Sequence, residues 1–76
     1  MRNIPPLNAL RVFESVARLK SFSKAADELH VSQSAVSKQI SLLENYLGVQ
    51  FFLRDRTGIQ LTELGQRYFE GVQPAF

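Results

Sequence analysis

The stretch AADELHVSQSAVSKQI, residues 25 to 40, constrains this chain more than any other. Placing each residue from 33 to 47 about 100° further round a helix puts Val36, Ile40, Leu43 and Leu47 on one narrow stripe. Ser34, Lys38, Ser41 and Asn45 fall opposite with Ser37 beside them, and Gln33 points out of the first turn. One face can bury while the other meets a polar partner. Ser32 is a good N-cap for this helix, and Val31 and Val36 stand at hydrophobic-staple spacing. Ala35 occupies the place of a capping-box Glu, so that motif is incomplete.

Just before it, a short helix is expected from about Ser23 to Leu29, with Ala25, Ala26 and Leu29 turned inward. Two alanines let a second helix axis approach closely, which suits a sharp crossing. A helix-turn-helix joins two helices at about 90 to 120° through three or four residues that often include Gly. No Gly is present here. His30 holds the turn position, and His is one of the few non-Gly residues enriched at positive φ, so a left-handed backbone is predicted there. The alternative is an exposed helix-end histidine with ordinary φ. A lone His without cysteine partners offers no metal site.

The polar stripe also has two readings. Helices facing solvent carry Ser, Lys, Gln and Asn for solubility alone. Yet Gln and Ser can contact base edges, Lys can approach guanine or phosphate, and no acidic residue stands between Gln33 and Ile40 to repel a phosphate backbone. The groove-facing reading is the stronger, although a protein partner would suit the same pattern.

Seventy-six residues make at most one small domain, and 45% hydrophobic residues are enough to fold it. A core this size contributes little spare stability, which makes dimerisation attractive. The absence of cysteine excludes a disulfide framework and a thiol nucleophile, and it fits a reducing, cytoplasmic setting. Neither a signal peptide nor a membrane span is expected, because the apolar runs are only a few residues long. The formal charge is +2, unevenly spread: residues 1 to 56 hold eight basic and five acidic side chains, and residues 57 to 76 hold one and two. The basic surplus lies with the polar helix face.

Pro5 and Pro6 precede an amphipathic first helix over about residues 7 to 19. Leu10, Phe13, Val16 and Ala17 share one face, and Asn8, Arg11, Ser15 and Arg18 another. Phe13 and Leu10 are expected to roof Ile40 and Leu43, since three helices enclose a core that two cannot. After Leu47, Gly48 stops the long helix, and Val49 to Leu53 and Ile59 to Leu61 read as short strands around a turn, RDRTG, residues 54 to 58. This is a wing from which Arg54 and Arg56 can lean on phosphates or enter a minor groove; the alternative is a surface loop whose arginines Asp55 neutralises. Thr62 can cap a last helix in which Leu64, Tyr68, Val72 and Phe76 recur nearly every four residues. That stripe either pairs with its counterpart in a second copy, the favoured expectation, or packs on the domain's own core. Gly65, Gly71 and Pro74 weaken or kink it.

The segments SFSKAADELHVSQSAVSKQISLLENYLGVQFFLR, residues 21 to 54, and LTELG, residues 61 to 65, resemble the N-terminal domain and start of the linker helix of LysR-type transcriptional regulators. PPLNALRVFESVAR, residues 5 to 18, is similar to the branch holding glycine-cleavage and β-lactamase regulators. The resemblance implies a mainly α fold with a small two-stranded β wing: a winged helix-turn-helix over 1 to 62, then the start of a dimerisation helix over 63 to 76. It implies a homodimer, tetrameric in longer members, on double-stranded DNA carrying an interrupted palindrome with T and A at its ends. It places Gln33, Ser34, Ser37 and Lys38 on bases or groove walls, Ser23, Ser32 and Arg54 on phosphates, and Leu64, Tyr68, Val72 and Phe76 in the dimer contact. No cofactor is implied. The effector-binding domain of longer members is not in this sequence, so no small-molecule effector is expected on it. Where the family often carries a second basic wing residue this chain has Thr57, with Arg56 one position earlier, a departure from the family pattern.

Two other classes compete. A helical protein-interaction module would use Val72 and Phe76 as anchors and ignore DNA. An enzyme finds almost no support, since there is no Gly-rich phosphate loop, no metal-ligand cluster and no partner set for the one His. The six serines between 21 and 41 serve better as caps, turn bonds and DNA contacts.

Overall fold

The computed structural model describes residues 7–55, 58–72 and 74. Its elements run α1 (Leu7–Leu19), α2 (Phe22–Leu29), α3 (Gln33–Leu47), β1 (Phe52–Asp55), β2 (Gly58–Leu61) and α4 (Glu63–Val72). The chain is mainly α with an antiparallel two-stranded wing, a winged helix-turn-helix. No described helix is long and apolar enough to cross a membrane.

Local chemistry explains the boundaries. α1 ends where Lys20 turns to φ 53° and donates its N–H to the Val16 carbonyl at 2.7 Å. The Ser21 hydroxyl then accepts the Lys24 N–H at 3.0 Å, which starts α2 at Phe22, slightly before the expected Ser23. At the other end His30 adopts φ 58°, ψ 44°, the left-handed conformation predicted for it. The Val31 N–H reaches back to the Ala26 carbonyl at 3.1 Å, so the turn satisfies helix-end carbonyls without a glycine. Ser32 caps α3 by accepting the Ala35 N–H at 3.1 Å, and Gly48 at φ 70° closes it.

α1 lies against both α2 and α3, and α4 returns to α1. As the stripe requires, Val36, Ile40 and Leu43 are buried and Leu47 packs partly against them. Phe13 is fully buried, while Leu10 only borders the core. The center is more aromatic than expected. Phe13 meets Phe51, Phe52 and Tyr68 at ring-centroid distances of 4.9, 5.5 and 5.2 Å, and Tyr68 stacks on Phe51 at 4.7 Å.

Two expectations need correction. The first strand does not begin at Val49 but at Phe52, and Arg54 and Asp55 belong to it rather than to the turn. Side chains compete for the backbone before it: Glu44 Oε2 accepts the Phe51 N–H at 2.7 Å, and the Thr62 hydroxyl donates to the Gln50 carbonyl at 2.7 Å. Phe51 therefore sits outside the ladder, which pairs Phe52 with Leu61 and ends at Asp55 and Gly58. The strands flank residues 56 and 57, so Arg56 and Thr57, like Pro5, Pro6 and Phe76, lie outside the described residues.

The second correction concerns Ser15, which does not share a solvent face. It is 1% exposed, and its hydroxyl donates to Glu28 Oε2 at 2.7 Å. Arg18 donates to Glu14 at 2.9 Å and also to Glu28, so the network ties α1 to α2. Hydrogen bonds from Arg18 first, then Ser15, hold the Glu28 carboxyl below its ordinary pKa. A lowered folded-state pKa contributes stability that is present above the unfolded value and lost as the pH falls through the folded one. Wild type is therefore expected to melt above Glu28→Gln at pH 7, by a modest margin because the pair is exposed. Thermal unfolding across pH is expected to show the gap closing below the ordinary glutamate range; a pH-independent gap would refute the assignment.

Candidate nucleic-acid interface

The helix-turn-helix presents its polar stripe outward because the opposite stripe is fully engaged in the core. Gln33, Ser34, Lys38, Ser41 and Asn45 are exposed, and Ser37 is half-buried. The first acidic residue of α3 is Glu44, and its carboxylate is taken up by the Phe51 N–H. The outward face of the first three turns thus carries donors and a cation without a competing anion. Ser32 is exposed, but its hydroxyl already accepts the Ala35 N–H and lies 3.2 Å from the Ser34 hydroxyl. Ser23 is exposed on the first turn of α2.

The wing brings a second cation to this surface. In the β1–β2 ladder Phe52 faces inward, and alternation along a strand sends Arg54 to the same side while Leu53, 52% exposed, points away. The Arg54 guanidinium lies over the Phe22 ring, 4.5 Å from its centroid. A concavity bounded by Lys20, Ser23, Lys24, Gln33 and Arg54 connects the start of α2 with the wing. Next to it, Ser37, Ser41, Glu44, Gln50 and Arg54 border a second one. Arg54 stands between the two.

Lys20 and Lys24 were not foreseen as members of this surface. They join it because the left-handed turn at Lys20 and the Ser21 cap place both lysines at the mouth of the first concavity. The signal available in the sequence was their spacing around SFS, residues 21 to 23.

The stripe assigned to a dimer contact divides. Leu64 is 52% exposed, and Val72 is half-buried. Tyr68 instead turns its ring into the chain's own aromatic cluster, where burial pushes its phenol pKa up. Its side chain is nonetheless only half-buried, as Val72 is.

Comparisons with known proteins agree with this geometry. The family described as "Bacterial regulatory helix-turn-helix protein, lysR family" matches residues 7–66. A glycine cleavage system transcriptional activator homolog from Haemophilus influenzae is 57% identical over 71 residues, 93% of this chain and 24% of the relative. The glycine cleavage system transcriptional activator of Escherichia coli K12 is 51% identical over 75 residues, 99% of this chain and 25% of the relative. A carbapenem-hydrolyzing beta-lactamase transcriptional activator from Serratia marcescens is 51% identical over 76 residues, 100% and 26%. The chain thus spans about a quarter of the length of these relatives. Among solved structures, Corynebacterium glutamicum OxyR (C206S mutant) superposes with a TM-score of 0.89 at 32% identity, over 95% of this chain and 22% of that one. The BenM DBD in complex with catB site 1 DNA superposes with a TM-score of 0.87 at 34% identity, over 92% of this chain and 79% of that one. By fold and by sequence, the chain belongs to the lysR family of bacterial regulatory helix-turn-helix proteins.

Proposed function

We propose that this chain is the DNA-reading domain of a transcriptional regulator, with α3 lying in a major groove. The observation that carries the reading is the division of α3: Val36, Ile40 and Leu43 are buried, while Gln33, Ser34 and Lys38 are exposed with no acid beside them. The likeness to a BenM domain solved with DNA supports it. Gln33, Ser34, Ser37 and Lys38 contact bases or groove walls, and Ser23, Ser32 and Arg54 take phosphates. Residues 1 to 62 form the reading unit. The helix from residue 63 begins a contact with a second copy through Leu64, Tyr68, Val72 and Phe76, and two copies read an interrupted palindrome with T and A at its ends. The longer protein adds an effector-binding domain and assembles to tetramers, acting in the cytoplasm.

Fluorescence anisotropy tests this with a labelled T/A palindrome and a scrambled duplex at two salt concentrations. Preferential binding that weakens steeply with salt is expected, because each phosphate contact releases counterions. Lys38→Ala is expected to cost about 1 to 3 kcal/mol on the palindrome and less on the scrambled duplex. An equal loss on both would move Lys38 to the phosphates. No binding to either duplex at low salt would overturn the reading.

A further inference from the structure

Arg54 is an arginine on the inward face of a strand, and a ring is waiting for it. The register pairs Arg54 with Ile59, two residues out from the Phe52–Leu61 pair that closes on the core. The same pleat that buries Phe52 therefore carries the Arg54 side chain back toward the body of the domain rather than off the wing tip. Its guanidinium lies 4.5 Å from the centroid of Phe22. Phe22 is itself fixed: it is 8% exposed and meets the Phe52 ring edge-on at 6.1 Å and 77°. Burial alone would be served at this position by leucine. What phenylalanine adds is a π face, which attracts a cation set above it.

We infer that Phe22 is a positioning residue for DNA binding: its ring holds the Arg54 guanidinium between the wing and α2, beside Lys20 and Lys24, where a DNA phosphate is to sit. This rests on the DNA-reading function proposed above. An unrestrained arginine loses much rotamer freedom when it engages a phosphate. Arg54 has lost part of that freedom before DNA arrives, so less affinity is forfeited on binding. Stacking on a ring uses the face of the guanidinium and not its edge, where the N–H donors lie.

The test has a DNA-free arm and a DNA arm. In the free protein, NMR is expected to show the Arg54 side-chain protons shifted upfield by the Phe22 ring, and the shift is expected to vanish in Phe22→Leu and in the volume-keeping Phe22→Met. On the T/A palindrome, either variant, measured where circular dichroism shows it folded, is expected to bind about two- to fivefold more weakly than wild type. Arg54→Ala is expected to lose about tenfold. Adding either Phe22 change to Arg54→Ala is expected to cost no further affinity, because Phe22 acts through Arg54. The same fractional loss in both backgrounds would overturn the proposal, as would an unshifted Arg54 in wild type. Salt-sensitive, Lys38-dependent binding that Arg54→Ala leaves untouched would refute the positioning role and spare the DNA-reading function. Failure of wild type to bind any duplex, with the ring shift intact, would refute the DNA-reading function itself.

Discussion

Replacing Phe13 by alanine is expected to cost about 3 to 5 kcal/mol of folding stability. Phe13 is 0% exposed and is the ring on which the others converge, Phe51 and Phe52 from the approach to the wing and Tyr68 from α4. Deleting it removes the buried surface of one large side chain and leaves a cavity that three partners on different elements cannot close together. A domain of this length has about 4 to 11 kcal/mol in all, so the loss is a large fraction of the total. Urea denaturation at 10 °C measures the loss, with Phe13→Leu as a milder comparison. A loss below about 1 kcal/mol would mean that the aromatic cluster is not the center of the fold. Any fall in DNA affinity is expected to follow the folded fraction, in contrast to Lys38→Ala, which leaves the fold intact.

Gly65→Ala is the second large effect, and it is steric. A Cβ at Gly65 would stand 2.3 Å from the Phe51 carbonyl oxygen and 3.0 Å from Leu61 Cδ2. The oxygen is backbone, held by the Thr62 N–H at 2.9 Å, so it cannot swing aside as a flexible side chain would. The first turn of α4 must move away, and that strains the Thr62 cap on the Gly65 N–H. The expected loss is about 3 kcal/mol, the upper end for overpacking, or a fall in Tm of roughly 10 °C or more. Gly71→Ala is the control. Nothing lies within 4 Å of its Cβ position, and the better helix propensity of alanine is expected to leave stability unchanged or slightly raised. Calorimetry on the two variants checks both, and equal melting temperatures would refute the close approach of α4 to Phe51.

Both residues show where reading the sequence succeeds and where it stops. Phe13 was legible as a core residue because its helix is amphipathic over its whole length. Gly65 read only as a weak point in a helix, since nothing in LTELG says that a carbonyl 14 residues earlier presses on it. The strand starting at Phe52 was displaced for a similar reason. β-Branched and aromatic residues from Val49 onward suit a strand, but Glu44 and Thr62 claim the backbone of Gln50 and Phe51. Tyr68 falls on a stripe that suits either a second copy or the domain's own core, and only the packing of α4 on α1 shows that its ring joins the aromatic cluster.

What the sequence determined by itself is local. The two capping serines at 21 and 32, the glycine at 48 and the histidine able to stand at positive φ set helix boundaries within a residue or so, because each acts on backbone groups a few positions away. The apolar stripe of α3 likewise settled which side faces outward, and so which of its residues can meet a partner. The tertiary structure decided the rest. It chose the aromatic cluster, the demand for glycine at 65 and the seating of Arg54 on Phe22, contacts between residues 14 to 55 positions apart. Such contacts depend on how finished elements dock, and a pattern of period 2 or 3.6 holds no information about distances between elements.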